Sequence, residues 1–137
     1  MEPKLKVLLV EDSRLFRQVF KQLLQTRFPS LEIHEAANGE DALAMADKIG
    51  PDLIFMDIRL PDANGLELTR RIKAQHPRII VTILTGYESE YREAASRDAD
   101  YFLSKHSTSS DVFSLIENIL NRPEGTVSPE EHSTFSS

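Results

Sequence analysis

At 137 residues with a formal charge of −6, the chain is sized for one domain with a core of its own and is poorly suited to non-specific nucleic-acid binding. It has no cysteine, which excludes disulfides and thiolate metal sites. Near the start, Lys4 and Lys6 accompany only a short apolar run, Leu5 with Val7 to Val10, far below a signal h-region or a membrane span. A soluble, cytoplasmic protein with no membrane partner is expected.

Leu5 to Val10, dense in branched apolar residues, predicts a strand that stops at Glu11-Asp12-Ser13. Phe16, Val19, Phe20, Leu23 and Leu24 then recur at helical spacing as one buried stripe, capped by Asp12 or Ser13 and stopped by Pro29. Leu31 to Ala36 reads as a second short strand and Asn38-Gly39 as a turn. Ala42, Leu43, Ala46 and Ile49 line a helix closed by Gly50-Pro51. The third strand, Asp52 to Asp57, is an apolar run that ends abruptly in a carboxylate, the pattern of a strand buried on both faces. Pro61 and Asn64-Gly65 mark the following loop, and a helix with Leu66, Leu68 and Ile72 runs to His76-Pro77. Ile79 to Leu84 is the fourth strand, ending at Thr85-Gly86, and 88–97 is a short charged helix. Tyr101 to Ser104 is the fifth strand, ending at Lys105. Ser107 to Ser110 offer caps for a last helix with Val112, Leu115, Ile116, Ile119 and Leu120 as its stripe. Residues 1–121 therefore form one domain. Residues 122–137, rich in Ser, Thr, Pro and Gly, read as a flexible tail or linker.

Five strands alternating with five helices predict an α/β fold, a five-stranded parallel sheet in the flavodoxin-like order 2-1-3-4-5 with helices on both faces. In that order Glu11-Asp12, Asp57, Thr85 and Lys105 all end strands on one edge of the sheet, where open α/β sheets bind ligands. Three carboxylates gathered there repel one another and raise at least one pKa, which a divalent cation relieves. Hard oxygen ligands without Cys or paired His favour Mg²⁺, with Mn²⁺ as a substitute. Mg²⁺ keeps several waters and leaves room for a phosphoryl oxygen. Asp57 can then act as a nucleophile that forms an acyl phosphate, with Lys105 and Thr85 as donors to the phosphoryl group.

From Lys4 to Asn121 the chain resembles the receiver domain of two-component response regulators. The resemblance lies in Val10-Glu11-Asp12, Met56-Asp57, Pro61 with Gly65, Leu84-Thr85-Gly86 and Tyr101-Phe102-Leu103-Ser104-Lys105, in this order and at strand ends. It implies a CheY-like fold and a signalling switch that catalyses only its own phosphorylation and dephosphorylation. Asp57 would accept a phosphoryl group from a sensor histidine kinase or a histidine phosphotransfer protein. Asp12 and Asp57 would hold Mg²⁺, with Glu11 directly or through water and with the backbone carbonyl of Arg59. Thr85 and Lys105 would contact the phosphoryl group, and Thr85 with Phe102 would switch the face built by the fourth helix, fifth strand and fifth helix. That face would engage an effector domain or a second copy.

His106 stands where the family usually has proline, and a cis bond there would cost about 2.5–4 kcal/mol. Tyr101 occupies a place more often glycine, Asn64 replaces a frequent acid, and Arg59 and Tyr87 sit where the family tunes phosphoryl lifetime. Leu15 and Phe113 lie beside their helix stripes and are candidate contacts, Leu15 for the phosphotransfer partner and Phe113 for a dimer or effector. Blander readings exist: Glu11-Asp12 as a solvated cap, Lys105 as a surface lysine, Phe102 as plain core. A receiver that binds a partner without phosphorylation is the main alternative function. An Asp-nucleophile phosphatase would want a second Asp where Arg59 stands, and a flavin or nucleotide module would want small residues where Glu11-Asp12 stand.

Overall fold

The computed structural model describes residues 5–86 and 97–122. Its strands are β1 (Lys6–Val10), β2 (Glu32–Ala36), β3 (Leu53–Met56), β4 (Ile80–Thr85) and β5 (Tyr101–Ser104). All pair in parallel, in the order β2-β1-β3-β4-β5, as the alternation of elements predicts. Val7 to Val10 and Leu53 to Met56 are fully buried, because both faces of the sheet are covered.

Helices α1 (Arg14–Arg27) and α4 (Ser109–Leu120) pack on Val7, Leu9, Phe55 and Leu103; α2 (Gly39–Ile49) and α3 (Gly65–Gln75) pack on Leu8, Val10, Met56 and Ile83. Helix α4 is the fifth helix of the sequence reading. The helix expected at 88–97 falls almost wholly outside the described residues, as do Tyr87 and the tail beyond Arg122.

Local chemistry sets the helix ends. Ser13, rather than Asp12, caps α1, its hydroxyl accepting from Phe16 N at 3.2 Å. Asn38 caps α2 by accepting from Asp41 N, so Asn38-Gly39 begins a helix and is more than a turn. Gly50, at φ 62°, closes that helix in the left-handed region where glycine has no Cβ penalty. Thr108 and Asp111 form a reciprocal capping box on α4.

Two stripe residues are exposed. Val19 is 59% exposed and Leu120 44%. Each stands one residue, about 100° of helical turn, from a buried neighbour, Phe20 and Ile119. The line of α1 that meets the sheet runs through Phe20 and Leu24, with Phe16 and Leu23 half-buried beside it. At the far edge of the sheet Asp100 is buried without being part of the site. Its carboxylate accepts from Val81 N at 2.9 Å and from Lys73 Nζ at 2.6 Å.

Candidate functional site

The chain runs outward from β1 to β2 and returns across β1 to β3, which opens a crevice beyond the carboxyl ends of β1 and β3. Glu11 is the first residue past β1; its N–H donates to Ala36 O at 3.0 Å. Asp57 is the first past β3; its N–H donates to Val10 O at 3.0 Å. The sheet thus holds the backbones of both acids, with Glu11 2% and Asp57 6% exposed. Asp12 beside them is exposed. One carboxylate oxygen from each of Glu11, Asp12 and Asp57 lies within 4.8 Å of the others.

Lys105 reaches this group from the end of β5. Its backbone N–H donates to Thr85 O at 2.9 Å, tying the ends of β4 and β5 together. Its ammonium donates to Glu11 Oε1 and lies 3.4 Å from Asp57 Oδ2. Glu11, not Asp57, is therefore the nearer partner of the lysine. The second oxygen of Glu11 accepts from Ser13 N at 2.8 Å, and the Glu11 carbonyl accepts from Arg17 at 2.6 Å.

The charges do not balance. When all are ionised, three carboxylates face one ammonium. Unit charges about 4 Å apart interact by about 4 kcal/mol at an effective dielectric of about 20, and three negative charges against one positive leave the cluster at −2. The strain shows at Asp12, whose carboxyl is raised above its usual value by its hydrogen bond to Glu11, by burial and by the Glu11 charge. Burial alone would lower the Lys105 pKa, but the bond to Glu11 and the charge of Asp57 override it and raise it. A hard, oxygen-bound divalent cation suits this donor set, since it supplies the missing positive charge.

The other predicted residues are placed by strand register. Thr85 is wholly buried at the end of β4. Ile83 pairs with Phe102, and both belong to the layer under α2 and α3. Thr85, two residues on from Ile83, has the same facing as Phe102. Tyr101 faces the other way, into the layer under α1 and α4, and its hydroxyl accepts from Arg122 Nη1 at 2.7 Å. Of the two adjacent aromatics, Phe102 therefore shares the Thr85 face. Arg59 is exposed and bridges to Asn64 in the turn after β3. No described peptide bond is cis, so the Lys105–His106 bond is trans.

Leu15 is 71% exposed on the first turn of α1. Phe113 is half-buried rather than free, packed edge-on against Phe28 at 5.8 Å with the Arg27 guanidinium at 5.9 Å. The site residues thus divide: Glu11, Asp12, Asp57 and Lys105 converge at the crevice with Thr85 joined to them through the Lys105 backbone, and Leu15 and Phe113 lie on the α1 and α4 surface.

Two features escape the sequence reading. Asp62, in the turn after β3, accepts from Gly39 N at 2.7 Å and Glu40 N at 3.0 Å, adding a second cap to α2. A Cβ on Gly39 would lie 2.8 Å from the Ala63 Cβ, so the missing side chain lets this turn approach the helix. No local pattern signals a cap donated from 22 residues away. The second feature is Phe16, whose ring lies 4.7 Å from the Lys105 ammonium.

Residues 7–117 match the family model of the response regulator receiver domain. The chain belongs to that family, the receiver domains of two-component systems. It is 34% identical over 126 residues to the transcriptional regulatory protein YdfI of Bacillus subtilis, covering 87% of this chain and 59% of that protein. The fold is similar to that of the CheY-like receiver domain protein from Methanospirillum hungatei, with a TM-score of 0.79, 26% identity, and 87% and 95% of the two chains covered. It is also similar to a DNA-binding response regulator of the LuxR family from Staphylococcus aureus, with a TM-score of 0.78, 28% identity, and 85% and 99% covered. The chain spans about three-fifths of the length of the curated relatives it matches. Among the described residues no helix is long and apolar enough to cross a membrane.

Proposed function

We propose that the chain is a phosphoryl-accepting signalling switch, with Asp57 as the acceptor of a phosphoryl group from a histidine kinase or a phosphotransfer protein. The observation that carries this reading is the shielded Asp57 carboxylate at the end of a central strand, in reach of Glu11, Asp12 and Lys105. In the transfer an Asp57 oxygen attacks phosphorus, the bond from phosphorus to the donor nitrogen breaks, and the imidazole keeps that electron pair and takes up a proton. Lys105 follows the charge from the carboxylate to the phosphoryl oxygens, and Thr85 donates its hydroxyl to another. Asp12, Asp57, the Arg59 carbonyl and Glu11 are the groups that would hold Mg²⁺ or Mn²⁺. Both Glu11 oxygens already accept from Lys105 and Ser13, and Glu11 would join such a cation directly or through water. A bound cation supplies charge neutralisation to the transferring group.

The proposed switch runs through Thr85 and Phe102. Phosphorylation draws Thr85 toward the site, and Phe102 follows on the same face, so the modification favours one of two arrangements of the surface around β5. That surface is read by an effector domain or a second copy. We take residues 122–137 as a tail of a stand-alone receiver or a linker to an effector domain; one longer relative is a transcriptional regulatory protein, which supports an effector that acts in transcription. Leu15 is the proposed contact for the phosphotransfer partner and Phe113 for a dimer or effector. The protein's setting is the cytoplasm.

Intact-mass measurement after incubation with acetyl phosphate tests this. The chain should gain one phosphoryl mass with Mg²⁺ and none with EDTA, and Asp57→Ala should gain none. A chain with no gain from acetyl phosphate or from a cognate kinase, and no Mg²⁺ binding in titration, would be a partner-binding module instead.

A further inference from the structure

We propose that Phe16 is a positioning residue for Lys105, its ring seating the ammonium between the Glu11 and Asp57 carboxylates. This rests on the phosphoryl-transfer reading above.

Lysine is a poor candidate for fixed geometry by itself. Its charge sits on a flexible four-carbon stem with three donors and no preferred plane. Here Glu11 holds the ammonium more closely than Asp57 does, so the carboxylates alone would draw it away from the acceptor. The Phe16 ring approaches the ammonium at 4.7 Å, inside the range of about 6 Å over which a cation is drawn to a ring face. Lys105 and Phe16 line one groove of about 170 Å³ with Val19, Ser107 and Val112. The ring therefore closes the apolar side of a head group that acids hold on the other.

The ring is itself fixed. Phe16 stacks on Phe20 at 5.5 Å and 15°, and Phe20 meets the edge of Phe55 at 5.1 Å and 78°. Phe55 lies in β3, two residues before Asp57. The aromatic series thus runs from the strand that carries the acceptor to the lysine that assists it. A leucine at position 16 would keep the helix and most of the apolar volume, and lose the negative face that attracts a cation.

The test uses the full chain as wild type, Phe16→Leu and Phe16→Tyr, with thermal unfolding to show that each folds. In the first measurement, without metal or donor, the Lys105 Hε and Cε resonances should show a ring-current shift in wild type and Phe16→Tyr that disappears in Phe16→Leu. In the second, phosphorylation by acetyl phosphate at saturating Mg²⁺ should slow about three- to tenfold in Phe16→Leu and return to near the wild-type rate in Phe16→Tyr. A small donor is used because it needs no docking surface on α1. A Phe16→Leu chain at the wild-type rate, or a Phe16→Tyr chain slowed equally, overturns the proposal, as does a wild-type Lys105 with no ring-current shift. A wild-type chain that takes no phosphoryl group overturns the transfer reading instead, and the resonance shift then decides the seating by itself.

Discussion

Replacing Gly65 by alanine sets a methyl group against the backbone that carries Asp57. A Cβ at position 65 would lie 2.0 Å from the Asp57 carbonyl oxygen, 2.9 Å from its carbon and 2.9 Å from the Ile58 Cα. All three are main-chain atoms, so no side-chain rotation relieves the clash. Reaching an ordinary contact of 3.4 Å requires a separation of about 1.4 Å at the closest atom. That movement strains the bond from Gly65 N to Ile58 O, now 2.8 Å, which starts α3. Overpacking typically costs about 1–3 kcal/mol and a lost hydrogen bond about 1 kcal/mol, so Gly65→Ala should destabilise the domain by about 2–4 kcal/mol. With a urea slope of about 1–3 kcal/mol/M, the unfolding midpoint should fall by roughly 0.7–4 M. Gly86→Ala is the matched control: among the described residues beyond its chain neighbours no atom lies within 4 Å of its Cβ, and its cost should stay within about 0.5 kcal/mol. Urea unfolding followed by circular dichroism measures both. A Gly65→Ala midpoint equal to that of Gly86→Ala would refute the reasoning, because the packing of α3 against Asp57 would then not be tight. Since the displaced carbonyl belongs to the proposed acceptor, the surviving folded fraction should also take up phosphoryl groups more slowly.

Asp62 has a carboxyl held below its ordinary value of 3.8, first by the N–H of Gly39 and then by that of Glu40. A lowered folded pKa means that its stabilising contribution is present above 3.8 and is lost as pH falls through the lower folded value. The Gly39 and Glu40 amide resonances should therefore titrate with a midpoint below 3.8 in wild type and not at all in that range in Asp62→Asn; a midpoint at or above the ordinary value would exclude the second cap. Leu15→Ala, at an exposed site, should change stability by less than about 0.5 kcal/mol and leave labelling by acetyl phosphate unchanged, while slowing transfer from a cognate kinase; unchanged kinase kinetics would remove Leu15 as a contact. Phe113→Ala should lose the edge contact with Phe28, about 0.5–1.5 kcal/mol, together with the burial of its half-covered ring, so unfolding experiments should show a cost above that range. It should also weaken self-association on phosphorylation, and sedimentation profiles identical to wild type in both states would count against the dimer role.

Much of the architecture is legible along the chain because its signals are local. Leu53 to Met56 reads as a doubly covered strand from its unbroken apolar run, and Asp57 marks its end because a carboxylate cannot continue into that core. The strand count and the right-handed crossover rule narrow the topologies, and the observed flavodoxin-like order fits them and brings Glu11, Asp57, Thr85 and Lys105 to one edge. The capping of α1 by Ser13 and the closure of α2 by Gly50 are likewise decided within a few residues.

Tertiary structure decided what depends on facing and on distance across the fold. Tyr101 and Phe102 look alike as a pair of aromatics; only the register with β4 puts Phe102 on the Thr85 side and Tyr101 on the other. Val19 belongs to the same periodic stripe as Phe20, yet the width of the helix contact leaves it exposed. The nearer pairing of Lys105 with Glu11, the cap that Asp62 gives α2 and the ring of Phe16 against the ammonium join residues 94, 22 or 23, and 89 positions apart. Spacing along a chain carries no information about such contacts. They exist because five parallel strands carry their carboxyl ends to one side, and the loops that leave those ends must share the same few ångströms of space.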